Sequence, residues 1–394
     1  MRLLQKKLSQ FNRLQEVIQN GLYPYYKVIE SGQNAEVMIN GERKLMFGSN
    51  SYLGLNNHPK LIEASKAAVE KYGTGASGSR LLNGNMEIHE KLDAMLAEFV
   101  NKEAAVVFGT GFQVNIGVIS SVLGRNDYLI MDDDDHASIF EASRLTFAKV
   151  LKYKHNDMES LEKVLKKTIP NQVKLIVVDG VFSMEGDIAQ LNSIVELSEK
   201  YNASILVDDA HGLGVLGEGG RGTANHFGLE DNVDLIMGTF SKSFASLGGF
   251  IAGDRTSIEY IKHQARSLLF SAGTTPASAA TVIAALEVMK EEPERFDQLW
   301  ENTVYARNLL TQEGFDIGNT STPIIPIKVG TDTKAYQYFA LMLEKGIYVN
   351  CVVTPAVKPG EAILRYSLMA THTKEMIHQS VDALIRCREL LKRL

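Results

Sequence analysis

The apolar positions in the middle of the chain fall into short runs separated by amphipathic stretches. Segments such as MESLEKVLKKT and LNSIVELSEKY have helical periodicity and lie between many of these runs. Continuous apolar strands that alternate with helices are typical of a largely parallel sheet covered on both faces, and such sheets bind ligands at the carboxyl ends of their strands. The seven predicted strands are AAVVF, DYLIMD, KVLKY, KLIVVDGVF, SILVDDAH, LIMGTFS and GGFIAG.

The region before this alternating pattern is predicted to form a helix and a hairpin. The helix covers 3–18 and ends at Gly21 and Pro24, and we expect it to dock on the body of the protein, with a partner subunit or a membrane surface as alternatives. The segment EVMINGERKLMF contains Asn40-Gly41, a strong hairpin signal. The apolar residues at helical spacing are Leu3, Leu4, Leu8, Phe11, Leu14 and Ile18.

The pattern changes again after about residue 290. A long helical stretch covers 277–312 with a break near Pro293, and shorter strands and helices follow up to a terminal helix over 373–393. This pattern predicts a second, smaller α/β unit. The predicted divisions are an N-terminal helix and hairpin segment at 1–45, a large domain at 46–290 and a small C-terminal domain at 291–394.

Composition narrows the class of protein. Apolar residues make up 45% of the 394 positions, which is enough for a sizeable core, and the net charge of −6 gives no indication of nucleic-acid binding. The two cysteines, Cys351 and Cys387, supply neither a disulfide framework nor a CxxC metal site. The start of the chain lacks the apolar stretch of a signal peptide. We therefore expect a cytoplasmic protein.

Lys242 follows the predicted strand LIMGTFS directly. An amine in such an apolar environment loses solvation of its charged form, so its pKa falls and it can react with an aldehyde to form a Schiff base. A solvated lysine at a strand end is the alternative. The hydroxyls of Thr239 and Ser241 lie beside it in the sequence and could bind a phosphate.

Acidic and imidazole groups follow the preceding strand. Asp208, Asp209 and His211 come directly after SILV, where a ligand crevice is expected. A carboxylate there could hold a protonated heterocycle, and the alternative is a helix cap or a salt bridge. His136 follows another strand, DYLIMD, where its imidazole could lie flat on an aromatic ring. A solvated loop histidine beside four acidic residues is the alternative.

A glycine-rich turn, GTGFQVN at 109–115, leads from the strand AAVVF into an apolar helix. The unpaired amides and the dipole of a helix N-terminus favour an anion, so this turn could bind a phosphate, although glycine turns before helices are common. A reactive lysine, a carboxylate for a ring nitrogen, a phosphate cradle and a stacking imidazole together indicate a pyridoxal phosphate (PLP) site.

The chain resembles the α-oxoamine synthases from FGSNSYLGL at 47–55 to the last helix. This family belongs to the fold-type-I PLP-dependent transferases. The resemblance implies a large domain with a mostly parallel seven-stranded sheet, a smaller C-terminal α/β domain, and a homodimer with shared active sites. The motifs that carry it are GTFSKSFASLGG, VDDAHGLG, DGVFSMEGD, FGTGFQVN, DDDHAS and LRYSLMATHT.

The resemblance also implies roles for the residues around the cofactor. Lys242 would hold PLP covalently and later remove the α-proton of the amino acid. Asp208 would pair with the ring nitrogen and His211 with the phenolic oxygen, while His136 would stack on the ring. Ser183, in DGVFSMEGD, would also lie near the ring. The groups that would hold the phosphate are the amides of Gly111, Phe112 and Gln113 and the side chains of Thr239 and Ser241.

Substrate and partner contacts follow from the same motifs. Arg365 would form a bidentate pair with the carboxylate of the amino acid, and Asn50 would be a second contact to it. Ser271 and Thr274, in FSAGTTPAS at 270–278, would reach the phosphate of the partner subunit. Here the chain departs from the family, because many relatives carry a second serine where this chain has Gly273.

The reaction that the resemblance implies is a decarboxylating condensation of an amino acid with an acyl-CoA. Three stretches, FGSNSYLGL, YGTGASGSRLLNG and SLMATHT, are most similar to soluble bacterial members that join L-serine to a long-chain acyl-CoA. The expected products are a 3-keto long-chain base, CoA and CO2, with no contact to membranes beyond a peripheral one. The alternatives are alanine with a dicarboxylic acyl-CoA, glycine with acetyl-CoA, a non-catalytic subunit, and an aminotransferase.

Overall fold

The computed structural model describes residues 2–10, 12 and 14–392. Two short helices, α1 (Leu3–Leu8) and α2 (Gln15–Gln19), come first, followed by strands β1 (Glu36–Ile39) and β2 (Glu42–Met46). The strands pair antiparallel with Ile39 opposite Glu42. Asn40 and Gly41, between them, have φ of 53° and 72°, the positive values that a tight hairpin turn requires. The predicted hairpin is confirmed.

The single helix predicted over 3–18 is wrong. The chain forms α1 and α2 instead, and Phe11 lies outside the described residues. No described side chain of α1 is buried, and Leu3 is 86% exposed, so α1 does not dock on the body of its own chain. Val17 of α2 does pack beside a small apolar cluster of the C-terminal region. Helical periodicity without a packing surface is insufficient to hold a long helix.

The large sheet contains the seven predicted strands, in the spatial order β3-β9-β8-β7-β6-β4-β5. Only β9 runs antiparallel to its neighbours, and the other pairs are parallel. The prediction of a mostly parallel seven-stranded sheet is therefore confirmed. The strands are β3 (Ala104–Phe108), β4 (Tyr128–Asp132), β5 (Lys149–Tyr153), β6 (Lys174–Asp179), β7 (Ser204–Asp208), β8 (Leu235–Thr239) and β9 (Gly249–Gly253).

Helices cover both faces of this sheet. Ile205 and Val207 of β7 belong to the apolar core on one face, while Leu206 belongs to the core on the other. Alternate residues of a strand point to opposite faces of the sheet, so both faces of these continuous apolar strands are buried. The helices up to residue 291 are α3 (Pro59–Tyr72), α4 (Glu87–Phe99), α5 (Gly111–Val122), α6 (Ala137–Leu145), α7 (Met158–Leu165), α8 (Leu191–Tyr201), α9 (Thr223–Phe227), α10 (Arg255–Gln264), α11 (Arg266–Leu269) and α12 (Pro276–Glu291).

A smaller α/β unit completes the chain, and Pro293 separates α12 from its first helix as predicted. Strands β10, β12 and β13 form one antiparallel sheet, whereas β11 pairs parallel with β2. The N-terminal hairpin therefore shares a sheet with the C-terminal unit. The elements are α13 (Glu294–Gln312), β10 (Ile324–Gly330), α14 (Asp332–Glu344), β11 (Ile347–Tyr348), β12 (Asn350–Val352), β13 (Ala362–Ser367) and α15 (Lys374–Leu391).

Among the described residues, none of the helices combines the length and the apolar character needed to cross a membrane.

The buried central strand gives a test of the packing. Ile205 is 0% exposed in β7, whereas Ile169 is 48% exposed in the loop after α7. We expect Ile205→Ala to lower the free energy of unfolding by about 2–5 kcal/mol, because it removes buried methyl groups and leaves a cavity. Ile169→Ala should change it by less than about 0.5 kcal/mol. Equal urea midpoints for the two variants would contradict this packing.

Candidate active site

A cavity of about 250 Å³ opens at the carboxyl ends of three adjacent parallel strands. Asp179, Asp208 and Thr239 are the last residues of β6, β7 and β8, and all three line it. Asp179 and Asp208 are paired in the strand register. The cavity therefore lies where an α/β sheet is expected to bind its ligand.

A tight loop after β8 presents Lys242 to this cavity. Phe240 N–H donates to the Gly248 carbonyl at 3.0 Å, and Ser246 N–H donates to the Phe240 carbonyl at 2.8 Å. Gly248 has φ of 137°, and a Cβ there would lie 2.6 Å from the Phe240 ring. The loop thus requires glycine at 248, and its hydrogen bonds fix the position from which the lysine extends.

The environment of Lys242 lowers its pKa to about 7, mainly because burial disfavours the charged amine. The carboxylates of Asp208 and Asp179 oppose this shift, while the guanidinium of Arg365 adds to it. Near neutral pH a substantial fraction of the amine is therefore uncharged and nucleophilic.

Asp208 is held by two hydrogen bonds. Its Oδ1 accepts the N–H of Ala210 at 3.1 Å, and its Oδ2 accepts Nδ2 of Asn115 at 2.6 Å. Asn115 is fully buried in α5. One carboxylate is thus fixed at the cavity wall by the helix that begins beside it.

Asp209 has a different role from that of its neighbour. It lies outside the cavity lining, and its two oxygens accept the hydroxyl and the amide of Thr223 at 2.6 and 2.7 Å. Burial raises its pKa to about 7. Asp209 therefore stabilises the start of α9.

The two predicted histidines both line the cavity. His136 precedes α6 and caps it, with Nδ1 accepting the Ser138 N–H at 3.3 Å. His211 Nδ1 lies 2.7 Å from the hydroxyl of Tyr52. Burial lowers the pKa of His211 well below its usual value, and the cations of Lys242 and Arg365 lower it further. The chain thus keeps His211 uncharged near neutral pH.

Arg365, from the small C-terminal unit, does not line the cavity but is connected to it through Tyr52, whose hydroxyl accepts from Arg365 Nη2 at 3.4 Å and lies 2.7 Å from His211 Nδ1. It lies in β13, is 4% exposed, and is hydrogen-bonded by its own chain. Nη1 donates to Asn50 Oδ1 at 2.9 Å, and Nε donates to the Ser183 carbonyl at 2.5 Å. The structure thus brings the three predicted residues Asn50, Ser183 and Arg365 together. Their acceptors are neutral, so an incoming carboxylate would offer the guanidinium a stronger partner.

Part of the cavity wall has the features of an anion cradle. Gly111 and Phe112 begin α5, where the amides of a first helical turn have no intrahelical partner. Thr239 Oγ1 lies 3.0 Å from Ser241 Oγ, so two hydroxyls are adjacent. A Cβ on Gly111 would lie 2.8 Å from Thr239 Oγ1, so only glycine leaves this space open. These donors fit a phosphate group.

Gln113 does not fit the predicted role as well as its neighbours do. It does not line the cavity, and its amide donates to the Thr110 hydroxyl at 3.2 Å as part of the helix cap. In this conformation the Gln113 amide is already engaged, so Gly111 and Phe112 supply the open amides.

Ser271 and Thr274 do not line the cavity of their own chain. The Thr274 hydroxyl donates inward to the Phe108 carbonyl at 3.3 Å, and its backbone carbonyl lies 2.7 Å from His89 Nε2. A Cβ at Gly273 would lie 2.8 Å from the Gly84 carbonyl oxygen, so a serine there would require the backbone to shift. Contact with a partner's phosphate stays a prediction for Ser271 and Thr274.

Four residues of the site were missed by the sequence reasoning. Tyr52 contacts both His211 and Arg365, Asn115 binds Asp208, Ser138 binds His136, and Asp179 lines the cavity. All four stand inside motifs that the sequence analysis quoted. Their neighbours carried the recognisable chemistry, whereas an amide or a hydroxyl on a buried face gives no signal of its own.

Taken together, the donor set fits a phosphorylated pyridine aldehyde. The open amides and hydroxyls suit the phosphate, Asp208 suits a protonated ring nitrogen, and the near-neutral amine of Lys242 suits the aldehyde.

The comparisons with known proteins agree with this arrangement. The family model "Aminotransferase class I and II" matches residues 42–384. The chain is 53% identical over 383 residues to a serine palmitoyltransferase of Sphingobacterium spiritivorum, covering 97% of this chain and 96% of the relative. It is 44% identical over 371 residues to an 8-amino-7-oxononanoate synthase of Alkaliphilus metalliredigens, covering 94% of each.

A solved structure shows the same likeness over the whole length. The serine palmitoyltransferase of S. paucimobilis, solved with a bound PLP–myriocin aldimine, superposes with a TM-score of 0.96 at 32% identity and covers all of both chains.

The balance of charges around Lys242 can be tested directly. Asp208→Asn removes a negative charge that stabilises the protonated amine, so the pKa of Lys242 should fall below about 7. The measurement is made on protein freed of PLP, so that the amine is not covalently blocked. It is the pH dependence of labelling by an amine-reactive reagent, with the modified peptide identified by mass spectrometry.

In the parent protein Lys242 should reach half-maximal labelling near pH 7, whereas exposed lysines in the same digest should do so near their usual value of about 10.4. A midpoint near 10 for Lys242, or an upward shift in Asp208→Asn, would contradict the electrostatics described above.

Proposed function

Because the chain belongs to the class I and II aminotransferase family, we propose that it is a PLP-dependent enzyme that condenses L-serine with a long-chain acyl-CoA. The products are a 3-keto long-chain base (3-ketodihydrosphingosine from palmitoyl-CoA), CoA and CO2, as in the first step of sphingolipid biosynthesis. The observation that carries the proposal is the near-neutral Lys242 facing Asp208 in a cavity with an anion cradle. The 53% identity to a serine palmitoyltransferase supports the choice of substrates.

The residues that would hold PLP come from the start of α5, from β7 and β8 with the loops that follow them, and from the cap of α6. The amides of Gly111 and Phe112 and the hydroxyls of Thr239 and Ser241 would bind its phosphate, and Asp208 its ring nitrogen. His211 would bind its phenolic oxygen, His136 would lie against its ring, and Lys242 would hold it covalently. When bound, PLP supplies an electron sink for the bond that is broken at the α-carbon of the amino acid.

Arg365 would orient the amino acid. Its guanidinium is positioned by the Asn50 side chain and the Ser183 carbonyl before any substrate arrives. Fixing the carboxylate fixes the direction of the Cα–H bond, and such orientation contributes several powers of ten to a rate. Asn50 would be a second contact to the substrate because it lies beside the same guanidinium.

Lys242 would remove the α-proton of the amino acid. A general base works best when its pKa lies near the working pH, and burial brings this amine to about 7. When Nζ takes the α-proton it gains a charge, and the nearby carboxylates of Asp208 and Asp179 favour that charged form. The same carboxylates therefore support the lysine as a base.

The main alternative is 8-amino-7-oxononanoate synthase activity, with alanine and pimeloyl-CoA. A relative of that name is 44% identical, against 53% for the serine palmitoyltransferase. Glycine C-acetyltransferase activity is a further alternative. A non-catalytic subunit is disfavoured because Lys242, Asp208, His136 and His211 converge on one cavity. The homodimer with shared sites, the cytoplasmic location and a peripheral membrane contact remain predictions.

Product identification tests the reaction. Protein loaded with PLP is offered serine, alanine and glycine, each with palmitoyl-CoA, pimeloyl-CoA and acetyl-CoA, and the products are identified by mass spectrometry. We expect the 3-keto long-chain base from serine and palmitoyl-CoA as the main product, and none from Lys242→Ala. Preferred turnover of alanine with pimeloyl-CoA would overturn the choice of substrates.

The proposed role of Arg365 predicts that its substitution lowers kcat/KM, whereas substitution of an exposed arginine does not. Arg365→Lys keeps the charge but loses the planar fork, so kcat/KM for the amino acid should fall by about 10²-fold or more. Arg386→Lys, on an exposed position of α15, should leave kcat/KM unchanged. Equal kinetics for the two variants would remove Arg365 from the substrate site.

A further inference from the structure

A series of hydrogen bonds connects His136 to Asp208 along the side of the cavity. His136 Nδ1 lies 2.8 Å from Ser138 Oγ, and Asn115 Nδ2 donates to the same Ser138 Oγ at 2.8 Å. Asn115 Nδ2 also donates to Asp208 Oδ2 at 2.6 Å. Asn115, Ser138 and Asp208 are all buried. The two residues proposed to contact the ring, from its face and at its nitrogen, are thus connected through Ser138, which lines the cavity, and Asn115, which does not.

The groups at the two ends of this hydrogen-bond series determine which atom donates in each bond. At one end, both oxygens of Asp208 act as acceptors, toward Ala210 N–H and toward Asn115. The amide of Asn115 must therefore turn its NH2 group to Asp208, and its second hydrogen faces Ser138 Oγ. Because that oxygen already accepts a hydrogen bond, the single hydrogen of the Ser138 hydroxyl remains to be donated to His136 Nδ1.

The contacts at the His136 end also require Nδ1 to be an acceptor. The backbone N–H of Ser138 points at His136 Nδ1 at 3.3 Å, and a backbone amide can only donate. Nδ1 thus faces two donors, one from the backbone and one from the hydroxyl. A proton on Nδ1 would oppose both donors and would remove the cap of α6.

We propose that Asn115 and Ser138 are positioning residues that hold the His136 imidazole neutral, with its one proton on Nε2. The inference rests on the proposed function only in placing this ring against the cofactor. The tautomer itself follows from contacts within the chain. A neutral His136 adds no second positive charge beside Lys242, so the charge of Asp208 is not shared with an imidazolium.

The charged groups that face His136 from other elements shift its pKa in opposite directions. Burial lowers its pKa most, the carboxylate of Asp208 raises it, and the ammonium of Lys242 lowers it. Asp179 also faces this residue, since its Oδ1 accepts the His136 backbone N–H at 3.3 Å. The net direction is downward, in agreement with the two donors at Nδ1.

The test is carbon-13 NMR of the PLP-loaded protein labelled in its histidine rings, with the His136 signal assigned by its loss in His136→Asn. In the parent protein the ring carbons should show the neutral Nε2–H tautomer, with a pKa below the usual value of about 6.5.

Ser138→Ala removes one donor and should raise the pKa of His136 by about half a unit to one unit, the shift expected for one neutral hydrogen bond. Ser138→Thr restores the hydroxyl and should restore the parent value. Ser143→Ala is the matched control, because the Ser143 hydroxyl donates to the Phe140 carbonyl in the same helix without touching His136.

Asn115→Leu gives a second route to the same conclusion if Ser138→Ala disturbs α6. Without the amide the Ser138 hydroxyl is free to rotate away from Nδ1, while the Ser138 backbone N–H still faces Nδ1. The neutral ring therefore loses part of one donor, and the pKa of His136 should rise toward its usual value. An Nδ1–H tautomer in the parent protein, or an unchanged His136 pKa in both Ser138→Ala and Asn115→Leu, would overturn the proposal. The signal needs no turnover, so a different product from the enzyme would contradict the proposed function and leave this inference standing.

Discussion

The opposition between burial of the Lys242 amine and the negative charge of Asp208 is the balance on which the site depends. Burial alone would leave the amine neutral but unable to keep a proton, and the carboxylate alone would leave it charged and unreactive. Together they bring its pKa to about 7. The parallel sheet sets this balance, because it ends β7 at Asp208 directly beside β8, whose following loop carries the lysine.

The rest of the architecture serves to bring distant parts of the chain to the same edge of the sheet. Asn50 follows the N-terminal hairpin, and Arg365 lies some three hundred residues later in β13, yet the two side chains are hydrogen-bonded. The pairing of β11 with β2 explains how this is possible, since it joins the start of the chain to the small C-terminal unit. Arg365, the group proposed to bind the carboxylate of the amino acid, is thereby positioned by a strand of a sheet and not by a loop.

Much of this arrangement could be predicted from the sequence because its signals are local. Each strand of the large sheet is a continuous apolar run, and the carboxyl ends of parallel strands must share an edge, so Asp208 and Lys242 could be placed together. The predicted helix over 3–18 failed because periodicity does not show whether a packing surface exists. Tyr52, Asn115 and Ser138 were missed because their roles depend on partners that only the folded chain supplies.

The same limit applies to Gln113 and Thr274, whose hydrogen bonds within the chain are invisible in a motif.

Whether Lys242 is the amine that holds the cofactor can be measured by reducing the PLP-loaded protein with borohydride and mapping the modified residue by peptide mass spectrometry. We expect one pyridoxyl group, on Lys242 alone. A colourless protein with no fixed cofactor, or a group fixed on another lysine while Lys242 stays free, would contradict it.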